Sequence, residues 1–147
     1  MFITSHILRL WFNGWPFSAR FGDHLAPCKF CKRPGQDCIQ HLPVCRVVQP
    51  WAGRFFGDHR AIHRPGTVSG LLGVNRALTP TQAMASALFC ASLLETWTWA
   101  KHGRVTNVTT DLFRSRLRHL AIRNAAIAKA EKRIIEAGYL PTEAPPA

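Results

Sequence analysis

The chain has 147 residues, 47% hydrophobic and 18% charged. This is the composition of one folded domain and excludes a disordered chain. Nineteen lysines and arginines against eight acids give a formal net charge of +11, which points to an anionic partner, nucleic acid before an anionic surface.

Residues 1–27 read as a short apolar helix over Phe2 to Phe12, closed by the turn Asn13-Gly14-Trp15-Pro16. His6 and Arg9 interrupt the apolar run and no small-residue cleavage site follows, so a secretory signal is not expected. The expected location is intracellular, in nucleus or cytoplasm. The mitochondrion is the alternative, because Arg9 and Arg20 precede the first acid, Asp23.

Four of the five cysteines fall between Cys28 and Cys45, and an odd number in so tight a cluster suits a metal better than disulfides. The run reads Cys28-Lys29-Phe30-Cys31, then Asp37-Cys38-Ile39-Gln40-His41, then Leu42-Pro43-Val44-Cys45. Zinc takes four nitrogen or sulfur ligands in a tetrahedron. Cys28 and Cys31 supply two from one turn, and His41 and Cys45, four apart, would point the same way from one helical turn. These four are the expected ligands of one Zn2+. Cys38 is the alternative, in place of His41 or Cys45, and His24 is a more distant one. Lys32 stands where glycine would turn more easily. Pro43, between His41 and Cys45, argues for a kinked or 3₁₀ turn.

Residues 49–79 are dense in glycine and proline and read as a loop-rich connector with one short helix near Val47 to Phe56. A long helix follows: Thr79 and Gln82 make a capping box, Pro80 takes the first helical position, and Gly103 ends it after His102. It is apolar on nearly every side, but Glu95 and many Ala, Ser and Thr residues make it a buried helix and not a membrane span. A second helix runs from Thr110-Asp111 to near Gly138. It pairs an apolar face, from Phe113 to Ile135, with a basic stripe of Arg114, Arg118, Lys129 and Lys132. Pro141 to Ala147 is a Pro-rich disordered tail. No segment alternates as a strand does.

The expected fold is therefore mostly α. An N-terminal helix and small irregular zinc knuckle (1–48) precede the connector (49–79) and a hairpin of two long helices (80–140) with a core of its own. Asp58, His59, His63 and Asp37 are the only catalytic candidates, and they form no recognised motif, so an enzyme is not expected. Lys29, Lys32, Arg33 and Arg46 crowd the knuckle, with Phe30 and Trp51 available to stack on bases; the alternative is that Phe30 packs under the zinc and the lysines are solvated. The stacking arrangement favours RNA or single-stranded DNA as partner. The helices of 80–140 offer a surface for a protein partner if an apolar face is left exposed beside Ala83–Ala100.

Cys28-Lys29-Phe30-Cys31, Asp37, His41-Leu42 and Cys45, preceded by Leu10-Trp11-Phe12-Asn13-Gly14-Trp15 and Ser18-Ala19-Arg20-Phe21, resemble the zinc knuckle in the C-terminal tails of reverse-transcriptase-like proteins of non-LTR retrotransposons. Leu71-Leu72-Gly73-Val74 and Ala100-Lys101-His102-Gly103-Arg104 look like the continuation of that tail. Lys32 and Arg46 depart from the family's usual Gly and Pro, and Cys38 stands where a small polar residue is usual. The stretch before Cys28 is too short for a polymerase domain. The resemblance implies a retrotransposon-derived accessory module that helps to hold RNA or target DNA.

Overall fold

A computed structural model describes residues 17–63, 66–73 and 76–141. The helix expected over Phe2–Phe12 and nearly all of the expected tail lie outside these residues. Among the described residues there are five α-helices, three 3₁₀ segments and no strand. No described helix is long and apolar enough to cross a membrane.

The 3₁₀ segments are Ser18–Phe21, Ile39–Val44 and Gly57–Ala61, and the helices are α1 (Val48–Phe56), α2 (Val68–Leu72), α3 (Pro80–Lys101), α4 (Thr110–Arg123) and α5 (Ala125–Glu136). α3 begins as its sequence predicts. The Thr79 hydroxyl accepts from the Gln82 amide at 3.2 Å, and the Gln82 side chain accepts from the Thr79 amide at 2.9 Å. Its residues from Ala85 to Leu93 are all buried, so no flat apolar surface of the expected kind is left along that stretch.

The expected second helix is two. Asn124 sits in an extended conformation (φ −143°, ψ 109°), and its side chain accepts from the amides of Ala126 and Ile127. An asparagine side chain competes with the helical backbone and is a strong N-cap, so it stops α4 and starts α5 at one position. The basic stripe is divided with it: Arg114 and Arg118 belong to α4, Lys129 and Lys132 to α5. In place of a two-helix hairpin, α3, α4 and α5 pack on one another.

The connector is less loop-like than its glycine content suggested. α1 buries Val48, Trp51, Ala52, Phe55 and Phe56, and α2 buries Leu71 and Leu72. Trp51 stacks parallel to Phe113 of α4 at 5.7 Å and donates its indole N–H to Ser92 of α3 at 2.9 Å. Near the C-terminus, the Leu140 amide donates to the Phe55 carbonyl at 2.8 Å. One hydrophobic core results, running from Phe17 to Leu140 and including Cys28, Phe30, Cys31, Leu42 and Cys45. The helices therefore share their core with the knuckle.

Candidate metal centre

The first cysteine pair is shaped by main-chain bonds. The Lys32 amide donates to the Cys28 carbonyl at 2.9 Å, and the Cys28 amide donates to the Arg33 carbonyl at 3.0 Å. Closing the turn puts Lys32 at φ +64°, the left-handed region that glycine occupies without penalty. The second pair sits on the 3₁₀ segment Ile39–Val44, tightened around Pro43, with Cys45 at its C-terminal end. The Cys45 carbonyl then accepts from the Gln49 amide at 2.9 Å, leading directly into α1.

These two turns bring the sulfurs of Cys28, Cys31 and Cys45 and a ring nitrogen of His41 together, all within 4.8 Å of one another and all on buried residues. Cys28 Sγ lies 4.0 Å from Cys45 Sγ, and Cys31 Sγ lies 3.2 Å from His41 Nε2. A tetrahedral zinc with Zn–S of about 2.3 Å and Zn–N of about 2.0–2.1 Å sets neighbouring ligand atoms about 3.5–3.8 Å apart, so the cluster is compatible with that ion. His41 Nδ1 is buried without a hydrogen-bond partner among the described residues. The ring thus lacks the outer bond that commonly orients a ligating imidazole.

Hydrogen bonding to Cys45 and burial push the Cys28 thiol up, while the same bond holds Cys45 below the ordinary thiol range. Burial, then the Arg33 charge, lowers the His41 pKa and favours the neutral imidazole that a metal requires. Arg46 donates from Nη2 to the Cys31 carbonyl at 3.3 Å, fastening the two turns together.

Cys38 and His24 are not part of the convergent group. Cys38 is the half-buried residue that precedes the 3₁₀ segment, and it lines a separate cleft with His24. The two aromatic residues expected to stack on bases are not available for it. Phe30 is 3% exposed and packs against Phe113 with centroids 5.4 Å apart, and Trp51 is 1% exposed. The apolar ring of Phe30 is drawn inward between Cys28 and Cys31 because the core lies there. The basic residues differ from it. Lys32, Arg33 and Arg46 are exposed and line a cleft of about 430 Å³ with Cys31, His41 and Val44, and Lys29 is half-buried beside them.

Asp37 carries more of the site than its place in a polar loop suggested. It is 2% exposed; its carboxylate accepts from the Ser18 amide (2.9 Å), the Ser18 hydroxyl (2.7 Å) and the Trp97 indole (2.9 Å). The other residues considered for catalysis are apart from it. His59 donates to or accepts from nothing in the knuckle; it stacks on Tyr139 at 4.0 Å with Nε2 2.9 Å from the Ala137 carbonyl. His63 stacks on Phe56 at 3.8 Å. The nine irregular residues between Cys31 and His41 show no alternation that would mark Asp37 as interior.

No protein-family model matches the chain, and neither does any curated protein or solved structure.

Proposed function

We propose that this protein is a zinc-stapled basic module that holds single-stranded nucleic acid as an accessory to another activity. The buried group of Cys28, Cys31, His41 and Cys45 carries the reading. Bound there, zinc would supply a structural cross-link between the turn at Cys28–Cys31 and the start of α1, with no open position for chemistry. Lys32, Arg33 and Arg46 around the adjoining cleft would take phosphate oxygens, with Lys29 beside them, and the net charge of +11 would draw the strand in. With Phe30 and Trp51 in the core, recognition rests on the backbone, and little sequence preference is expected. The left-handed Lys32 supports descent from a reverse-transcriptase tail, since that family's usual glycine suits the same backbone conformation.

Metal analysis and oligonucleotide binding on the intact protein test this. Protein purified without chelator should carry one equivalent of zinc. Cys28→Ser with Cys31→Ser should abolish it, and Cys38→Ser should keep it. Binding to RNA or single-stranded DNA should fall near the 10⁻⁴–10⁻⁶ M range typical of non-specific contacts, roughly, and weaken as salt rises. Stoichiometric zinc in the double serine variant would remove the site, and no binding at low salt would remove the nucleic-acid role.

A further inference from the structure

A second cationic cleft lies on α4, away from the cysteine cluster in sequence and lined by other residues. It measures about 700 Å³ and is bordered by Arg114, Arg116, Arg118, His119 and Ile122. Arg116 is only 5% exposed, and its Nε and Nη1 are buried with no hydrogen-bond partner among the described residues. Its guanidinium carbon sits 3.7 Å from the centroid of the Trp99 ring on α3, and Arg104 lies over the same ring at 5.6 Å. No described carboxylate comes within 4.0 Å of Arg116. Asp111, the acid at the edge of the cleft, is engaged by Arg54 at 3.0 Å. Glu131 of α5 feels the charges of Arg118 and Arg114 but forms no ion pair with either within 4.0 Å.

A guanidinium this buried ordinarily has a carboxylate or several carbonyls around it, because an unpaired charge away from water is costly. Among the described residues the indole face is its one partner, and Arg114 and Arg118 add like charge on the same helix. His119 Nδ1 is a further buried nitrogen without a partner at this cleft. The arrangement holds positive charge in place, and no described residue neutralises it. Arginine forks match phosphate oxygens bidentately, and a cleft along a helix suits a row of them. An anionic membrane would want a broader apolar face than this one. Ile122, 84% exposed, is the only strongly exposed large hydrophobic residue that borders the cleft.

We propose that the α4 cleft is a second phosphate-binding surface for the sugar–phosphate backbone of nucleic acid, with Arg116 as its fixed central cation and Arg114 and Arg118 as its outer contacts. It rests on the nucleic-acid reading and adds a site that the knuckle does not contain. Phe30 of the knuckle packs on Phe113 of α4, so both surfaces border the same core.

The test uses the full, zinc-loaded chain and a single-stranded oligonucleotide titrated at several salt concentrations. Arg114→Gln with Arg118→Gln should lower the slope of log K against log salt by about 1.4, at roughly 0.7 per phosphate contact for single strands. Zinc content and helical circular dichroism should stay unchanged. Lys32→Gln with Arg33→Gln should lower the slope independently. The Arg116 Nε–H resonance, protected from exchange by burial, should shift on adding oligonucleotide, and Arg116→Lys should retain more binding than Arg116→Gln. An unaltered slope in the α4 double variant, with the knuckle variant still weakened, would overturn this surface and leave the knuckle reading standing. No binding by the unmodified chain at low salt would end both. Binding to phosphatidylglycerol vesicles but to no oligonucleotide would overturn it in favour of a lipid surface.

Discussion

Trp97 of α3 donates its indole N–H to the carboxylate of Asp37, 60 residues earlier, at 2.9 Å. The same carboxylate receives both the amide and the hydroxyl of Ser18, so one buried acid joins the start of the described chain, the knuckle loop and the longest helix. Asp37→Ala would leave the Trp97 indole unpaired in the core and the Ser18 donors unpaired at its edge, at about 1–3 kcal/mol for an orphaned buried group and less for the half-buried ones. The expected result is a loss of several kcal/mol in urea unfolding, with Asp37→Asn retaining part of it. Zinc should also be yielded to a competing chelator more readily, since the loop between the ligand pairs loses its anchor. Wild-type stability in Asp37→Ala would show that the carboxylate is incidental.

Phe30 separates a packing role from a recognition role. Truncating a buried phenylalanine to alanine costs about 3–5 kcal/mol, and Phe30 lies against Phe113. Phe30→Ala should therefore lower stability by that order. Phe30→Leu, which keeps most of the volume, should leave oligonucleotide affinity unchanged once zinc content is matched. A clear drop in affinity for Phe30→Leu with unchanged stability would mean that the ring reaches the ligand after all.

Lys32 occupies a conformation that suits it poorly. A left-handed residue with a side chain is strained by roughly 1–2 kcal/mol relative to glycine. Lys32→Gly should accordingly hold zinc at least as tightly as the parent chain in a chelator competition, despite losing a positive charge near the cysteines. Lys32→Val, β-branched at the same φ of +64°, should hold it less tightly. Equal retention by the glycine and valine variants would show that the turn relaxes.

His63 gives the fold a pH dependence whose sign follows from burial. Burial lowers its pKa from 6.5 to about 4, with the charges of His59 and Arg76 adding to the effect and the main chain of Leu71 and Leu72 opposing it. The unfolded chain then binds more protons than the folded one between those values. Stability contributed by the neutral ring is present above about pH 6.5 and is lost as pH falls toward 4, up to roughly 3 kcal/mol for a shift of this size. His63→Phe, which preserves the stack on Phe56, should flatten that part of the curve of urea midpoint against pH. An unchanged slope would assign the acid sensitivity to other groups.

Several features were legible because they are encoded locally. The spacing of Cys28, Cys31, His41 and Cys45 announces a shared focus before any fold is known, since turn and helical-turn geometry alone bring such residues together. Thr79, Pro80 and Gln82 specify the start of α3 in the same way, and Gly103 its end. The tight segment around Pro43 follows from the ring of that residue. The break at Asn124 was also written locally, yet the apolar period on either side of it concealed it, because a helix continuing through one asparagine and a helix restarted by it have nearly the same pattern.

Other features depended on which surfaces meet. Phe30 and Trp51 are aromatic residues among basic neighbours, and their sequence surroundings are the same whether they face a base or Phe113. Phe113 of α4 decides the matter by giving both rings a dry place to pack. Asp37 and Arg116 lie in stretches where a charged residue would ordinarily be solvated. Only the approach of Trp97 to one and Trp99 to the other makes them interior. The sequence by itself determined the candidate ligand group, the start of α3 and the charge, all of which follow from covalent geometry and composition. The tertiary structure alone decided which charges and rings are removed from water, because burial is a property of long-range contact that no local spacing contains.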